Sequence, residues 1–137
     1  MGILTQLGMV AVAIATYVGL DAIWLGVVAR NFYAHAFGSL GKRVGETLTP
    51  NWIAVALTYV LLAVGLVVFV RPQVASVRSA ALFGAGYGFV VYGVYDLTNL
   101  ATLAGWPLQL SLVDASWGAL ASCVASVVLF TFFRSIS

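Results

Sequence analysis

Four long apolar runs divide the sequence, at about 3–28, 50–70, 79–105 and 108–133. Each meets or exceeds the roughly 20 residues that a helix needs to cross the hydrocarbon core. Short polar breaks separate them. Thr49 is placed to cap the second run, and Pro50 suits a first helical turn, where a missing N–H costs little. Arg71-Pro72 closes the second run and Gly105-Trp106-Pro107 the third. All three prolines fall at run ends, so no span is expected to kink. The stretch 30–46 is different: it mixes Phe32, Tyr33, His35 and Phe37 with Arg30, Lys42, Arg43 and Glu46. It reads as a short interfacial segment with aromatic anchors or as an ordinary ordered loop, and Gly38 and Gly41 limit any helix there. The expected fold is an all-α membrane protein, a single domain over 1–137. It is a bundle of four transmembrane helices with an interfacial segment between helices one and two.

Small residues predict where helices approach closely. Gly84 and Gly88 form a GxxxG pair in the third span, and Gly118, Ser122 and Ser126 make a stripe in the fourth. Packing within the bundle is the first expectation, and a homodimer seam along either stripe is the alternative.

Composition supports the same class. The chain is 63% hydrophobic and 7% charged, against roughly 25% charged in a soluble domain. A soluble domain of 137 residues could not hide this much apolar side chain. The net charge of +2 is too small and too scattered for nucleic acid. A lone Cys123 excludes a disulfide framework. No basic residue precedes Arg30, so the first run reads as a retained helix and not as a cleaved leader. With four spans, Arg71, Arg78 and Arg134 share the side of the termini, and Arg30, Lys42 and Arg43 lie opposite. The positive-inside rule is therefore tied. The short N-terminal tail tips the expectation to cytoplasmic termini.

The chemistry lies in the acids. Of four, Glu46 is in the loop, and Asp21, Asp96 and Asp114 are inside spans. A rise of 1.5 Å per residue puts them roughly 10, 14 and 9 Å below the side that carries residues 30–46. All three thus share one half of the bilayer. An ionised acid at the bilayer centre costs about 2.5–3.5 kcal/mol, and no span contains a basic partner. Neighbouring carboxylates cannot all ionise cheaply, so the cluster points to proton handling or ligand binding. At the same depth lie Asn51, Thr58 and Tyr59 of the second span, and Tyr95, Thr98, Asn99 and Thr102 of the third. Helical spacing puts Tyr95, Thr98, Asn99 and Thr102 on one face, with Asp96 at its flank. Trp24, Trp106 and Trp117 are expected to wall the site, and Trp52 belongs to the same half. Polar contacts that merely fix a bundle are the competing explanation, at about 0.6–2 kcal/mol each. Tyr17, Asp21 and Leu25 match Tyr92, Asp96 and Leu100 in spacing, a faint hint of two parallel halves.

No metal or cofactor is expected. His35 and Cys123 are single, no span holds a histidine for haem or a lysine for retinal, and the glycines of the third span are not a nucleotide loop. No Ser-His pair of the hydrolase kind is evident.

The run Tyr95-Asp96-Leu97-Thr98-Asn99-Leu100-Ala101-Thr102-Leu103, followed by Trp106-Pro107, Asp114 and Trp117-Gly118, resembles the signature of a family of small bacterial membrane proteins, domain of unknown function 2177. Leu20-Asp21, Trp24-Leu25 and Phe32-Tyr33 extend the likeness over essentially the whole chain. The resemblance implies a bacterial four-helix inner-membrane protein. It carries no activity, cofactor or catalytic residue, and it strengthens the choice of Asp21, Asp96, Asn99 and Asp114. Three functions fit the sequence. The first is a small transporter or ligand-binding protein built on the aspartates, which as a transporter would work as a homodimer. The second is a membrane enzyme acting on a lipid or isoprenoid by aspartate acid–base chemistry. The third is an accessory subunit of a larger membrane complex.

Overall fold

In the computed structural model, which describes residues 2–44 and 47–134, all four apolar runs are helical. Glu46 lies outside the described residues. Helix α1 (Ile3–Ile23) runs on through a wider π-helical turn, Trp24–Val28, closed by the Ala29 N–H on the Trp24 carbonyl at 2.7 Å. Helix α2 (Arg30–Phe37) is the interfacial segment, and it is short, as its glycines required. Gly38 ends it at φ +49°, a conformation that favours glycine. Two antiparallel two-residue strands follow, β1 (Arg43–Val44) and β2 (Thr47–Leu48). Arg43 ties this hairpin back to α2 through the carbonyls of Ala34 (2.6 Å) and Gly38 (3.3 Å).

Helix α3 (Trp52–Gly65) starts later than expected. Its cap is Asn51, whose side chain accepts from the N–H groups of Ile53 and Ala54, and not Thr49. Asparagine is a stronger N-cap than threonine, and Pro50 then sits just outside the helix. A π-helical turn, Leu66–Val70, and a 3₁₀ turn, Arg71–Gln73, complete this span. Helix α4 (Val77–Thr102) starts two residues before the expected 79, because Ser76 and Ser79 cap it reciprocally. It ends at Thr102, and Gly105, at φ +81°, turns the chain into α5 (Leu108–Phe133).

One face of each span makes the core, the second span contributing Leu62, Ala63, Leu66, Val67 and Val70. Helix α1 buries Met9, Ala13, Tyr17 and Asp21, and α4 buries Ala80, Gly84, Gly88 and Asp96, all at multiples of four. Helix α5 lies between them and buries Ala115, Gly118, Ser122, Ser126 and Leu129. The two small-residue stripes pack on each other. A Cβ on Gly84 would come within 2.5 Å of the Ser122 carbonyl oxygen, and one on Gly88 would meet the Gly118 carbonyl. These faces are buried inside the bundle, so neither is free to form the homodimer seam that was the sequence alternative.

Outside the stripes the surface is apolar, as in Leu4, Leu61, Phe69 and Phe132. That is the surface of a chain whose solvent is lipid. On the loop side a second apolar cluster, Ala29, Tyr33, Trp106 and Leu110, seats α2 across the bundle end.

Candidate functional site

The inner stripes of α1, α4 and α5 bring the three intramembrane aspartates to one end of the bundle, beneath α2. Their surroundings are unequal. Asp21, 9% exposed, accepts two hydrogen bonds, from the Tyr59 hydroxyl at 2.7 Å and from the Trp117 indole N–H at 2.7 Å. These tie α1 to α3 and to α5. Tyr17, one turn earlier on α1, donates to the Ser122 hydroxyl at 2.7 Å. Together they form a polar clasp in the bundle centre.

Asp114 is half-buried and accepts from the Tyr33 hydroxyl at 2.6 Å. Tyr33 comes from α2, outside the spans. Burial, and then its hydrogen bond to Asp114, push its hydroxyl well above the ordinary phenol range, so it stays a donor. The same oxygen accepts from the Trp24 indole at 3.2 Å, and Trp24 stacks flat on Trp117 with ring centres 4.5 Å apart. A continuous polar and aromatic chain therefore runs from Tyr59 through Asp21, Trp117, Trp24 and Tyr33 to Asp114.

Asp96 ends that chain and differs from the other two acids. It is 1% exposed, and neither carboxyl oxygen makes a well-formed hydrogen bond. Its polar neighbours are the Asp114 carboxyl, the Trp106 indole and the Ser111 hydroxyl. The last two are engaged elsewhere: Trp106 donates to Ser111 at 3.1 Å, and Ser111 to the Asp96 backbone carbonyl at 3.4 Å. The amide nitrogen of Asn99, one turn on, is likewise buried without a well-formed bond, beside the Tyr95 hydroxyl. Unmade hydrogen bonds on buried groups cost about 1–3 kcal/mol each, so this corner is held at a cost to stability. The three acids divide into a satisfied one and a pair, and among the described residues no three are placed to share a metal ion.

Two cavities lie at this end of the bundle, and the first is lined by Asp114. The first, about 460 Å³, lies between α3 and α4 and is lined by Thr58, Leu61, Leu62, Tyr87, Val91, Tyr92, Tyr95 and Asp114. The helices touch where the Tyr87 hydroxyl donates to the Leu62 carbonyl at 3.1 Å, and the gap runs from there toward Thr58 and Tyr95. Thr58 and Leu61 are exposed, so the gap faces the bilayer. The second cavity, about 880 Å³, lies at the membrane surface beneath α2. Tyr95, 55% exposed and edge-on to Trp106, lines both.

The structure thus gathers Asp21, Asp96, Asp114, Asn99, Tyr95, Trp24, Trp106 and Trp117 at one end of the bundle. It does not gather Thr98 and Thr102. Both are exposed, and each hydroxyl bonds the carbonyl four residues back in its own helix, at 2.7 Å. The face that the sequence assigned by its polar residues points partly to lipid, and Asp96, set at its flank, is the inward residue. Thr58 back-bonds in the same way, and Trp52 is exposed. Tyr33 and Ser111 are partners that sequence reasoning missed. Tyr33 carried the signal of an interfacial anchor and a place in the family likeness, and Ser111 carried none.

The comparisons agree with this architecture at the level of family. A family model described as predicted membrane protein (DUF2177) matches residues 6–131, and the chain belongs to that family. No curated protein and no solved structure matches it.

Proposed function

We propose that this member of the family is a small intramembrane binding protein, whose Asp96–Asp114 pair receives the polar group of a ligand that enters sideways from the bilayer between α3 and α4. The observation that carries this reading is the state of Asp96: fully buried, beside a second carboxyl, with no well-formed hydrogen bond to either oxygen. Two adjacent carboxyls in apolar surroundings cannot both hold charge. The pair then carries a proton, or takes up a cationic or hydroxyl-bearing group that replaces it. Tyr33 fixes Asp114 from one side, Tyr95 stands at the entrance, and the stacked tryptophans back Tyr33 and Asp21. Purely structural glue would leave all three acids satisfied, as Asp21 is, and does not account for Asp96. The groove between α3 and α4 reaches Asp114 directly, and the surface cavity is lined by Tyr33 and Trp106, which neighbour the pair. We place the protein in a bacterial cytoplasmic membrane with both termini inside.

Native mass spectra of the detergent-purified protein test this, with wild type beside Asp96→Asn. The reading expects a defined extra mass on the wild type that the folded variant loses. The same bound mass on both would overturn it.

A second reading rests on the asymmetry of the pair. One carboxyl is fixed by a phenol and the other has no well-formed bond, the arrangement by which neighbouring acids divide acid and base roles. An enzyme of this kind would leave a chemically altered lipid in membranes that carry the wild type and not in those with Asp96→Asn. Identical lipid profiles would exclude it.

A further inference from the structure

The surface cavity is built differently from the groove between α3 and α4. Its rim carries Arg30 and Lys42, both exposed, and among the described residues no acid lines it. Its floor carries Asn99, whose buried amide nitrogen lacks a well-formed bond, and the Trp106 ring. Leu25, Leu103 and Phe37 make the rest of the wall apolar. Two cations and an amide N–H over an apolar interior are complementary to an anion attached to a hydrocarbon chain, and its volume is that of a typical ligand pocket. The cavity lies where head groups lie, between interfacial α2, Pro50 just before α3 and the end of α4. Through Tyr95 it meets the apolar groove that opens to the bilayer.

We propose that this cavity holds the phosphate head group of an anionic membrane lipid, with Arg30, Lys42 and Asn99 on the phosphate and an acyl chain in the groove between α3 and α4. The lipid backbone then passes Tyr95 and comes beside Asp114. The course of the chain rests on the sideways-entry reading above, whereas the head-group site stands on Arg30, Lys42 and Asn99.

The test is a titration of the detergent-purified full chain, followed by native mass spectrometry. Phosphatidylglycerol and phosphatidylcholine with identical chains are compared on wild type, on Arg30→Gln/Lys42→Gln and on Asp96→Asn. Both cationic residues are exposed, so the double variant leaves the core intact, and its elution and tryptophan emission verify that. The expected result is one phosphatidylglycerol per chain, bound at least about tenfold more weakly by the double variant. Phosphatidylcholine binds wild type correspondingly weakly, and excess inorganic phosphate does not displace the bound lipid. Equal binding of the two lipids, an unaffected double variant, or displacement by phosphate, which would mark a site for the free anion, would each overturn the proposal. Binding lost in the double variant and kept in Asp96→Asn supports the head-group site and contradicts the aspartate reading. The opposite pattern does the reverse.

Discussion

Asp21 and Asp96 are the same residue type at similar depth on inner stripes, yet their roles separate by hydrogen bonding. Removing Asp21 strands the Tyr59 hydroxyl and the Trp117 indole, two donors that would have no acceptor. Asp21→Ala is expected to cost about 1–3 kcal/mol, seen as a lower unfolding temperature in detergent. Asp96→Asn removes no well-formed bond and replaces a buried acid by a neutral group of the same shape, so its unfolding temperature should not fall. Equal losses in the two variants would make Asp96 a second clasp. Tyr33→Phe takes the phenolic donor from Asp114 and leaves the ring packing in place. It should cost about 0.5–2 kcal/mol in the same melt, and no loss would show that α2 is held by its aromatic packing alone.

At the scale of elements, the seam between α4 and α5 is fixed by backbone proximity. Gly88 has no space for a Cβ against the Gly118 carbonyl, and Gly86, on the same helix, has nothing within 4 Å of the same added atom. Gly88→Ala should destabilise by about 1–3 kcal/mol as the helices part, and Gly86→Ala should be neutral or slightly stabilising. Thermal melts of the pair check this, and equal behaviour would mean that the seam is elsewhere. The spans and this seam were legible in the sequence, because apolar length and small-residue spacing are local signals. The inward face of α4 was only half legible. Threonine hydroxyls satisfy themselves on their own helix, so Thr98 and Thr102 can face lipid, and polarity alone misassigns the face. Gly84, Gly88 and Asp96, spaced in fours, give it correctly. The reach of Tyr33 to Asp114 was not legible, because it depends on the π-helical turn after Asp21, which re-aims Trp24 and α2.

For the whole molecule, the four spans place Lys42 and Arg78 on opposite faces of the membrane. A cysteine at either position should react with an impermeant maleimide from one side, Arg78→Cys from the side of the termini, and half-buried Cys123 within α5 should react from neither. Labelling of both new cysteines from the same side would break the topology. Within that topology, the central claim is that one carboxyl pair, and not Asp21, is protonated and reachable from the bilayer. A hydrophobic carbodiimide tests it most directly, since it modifies protonated carboxyls in apolar surroundings. In intact membranes, peptide mapping should find the adduct on Asp114 or Asp96, lost when both are Asn, with Asp21 unmodified. An adduct on Asp21 alone, or none on the pair, would contradict the account.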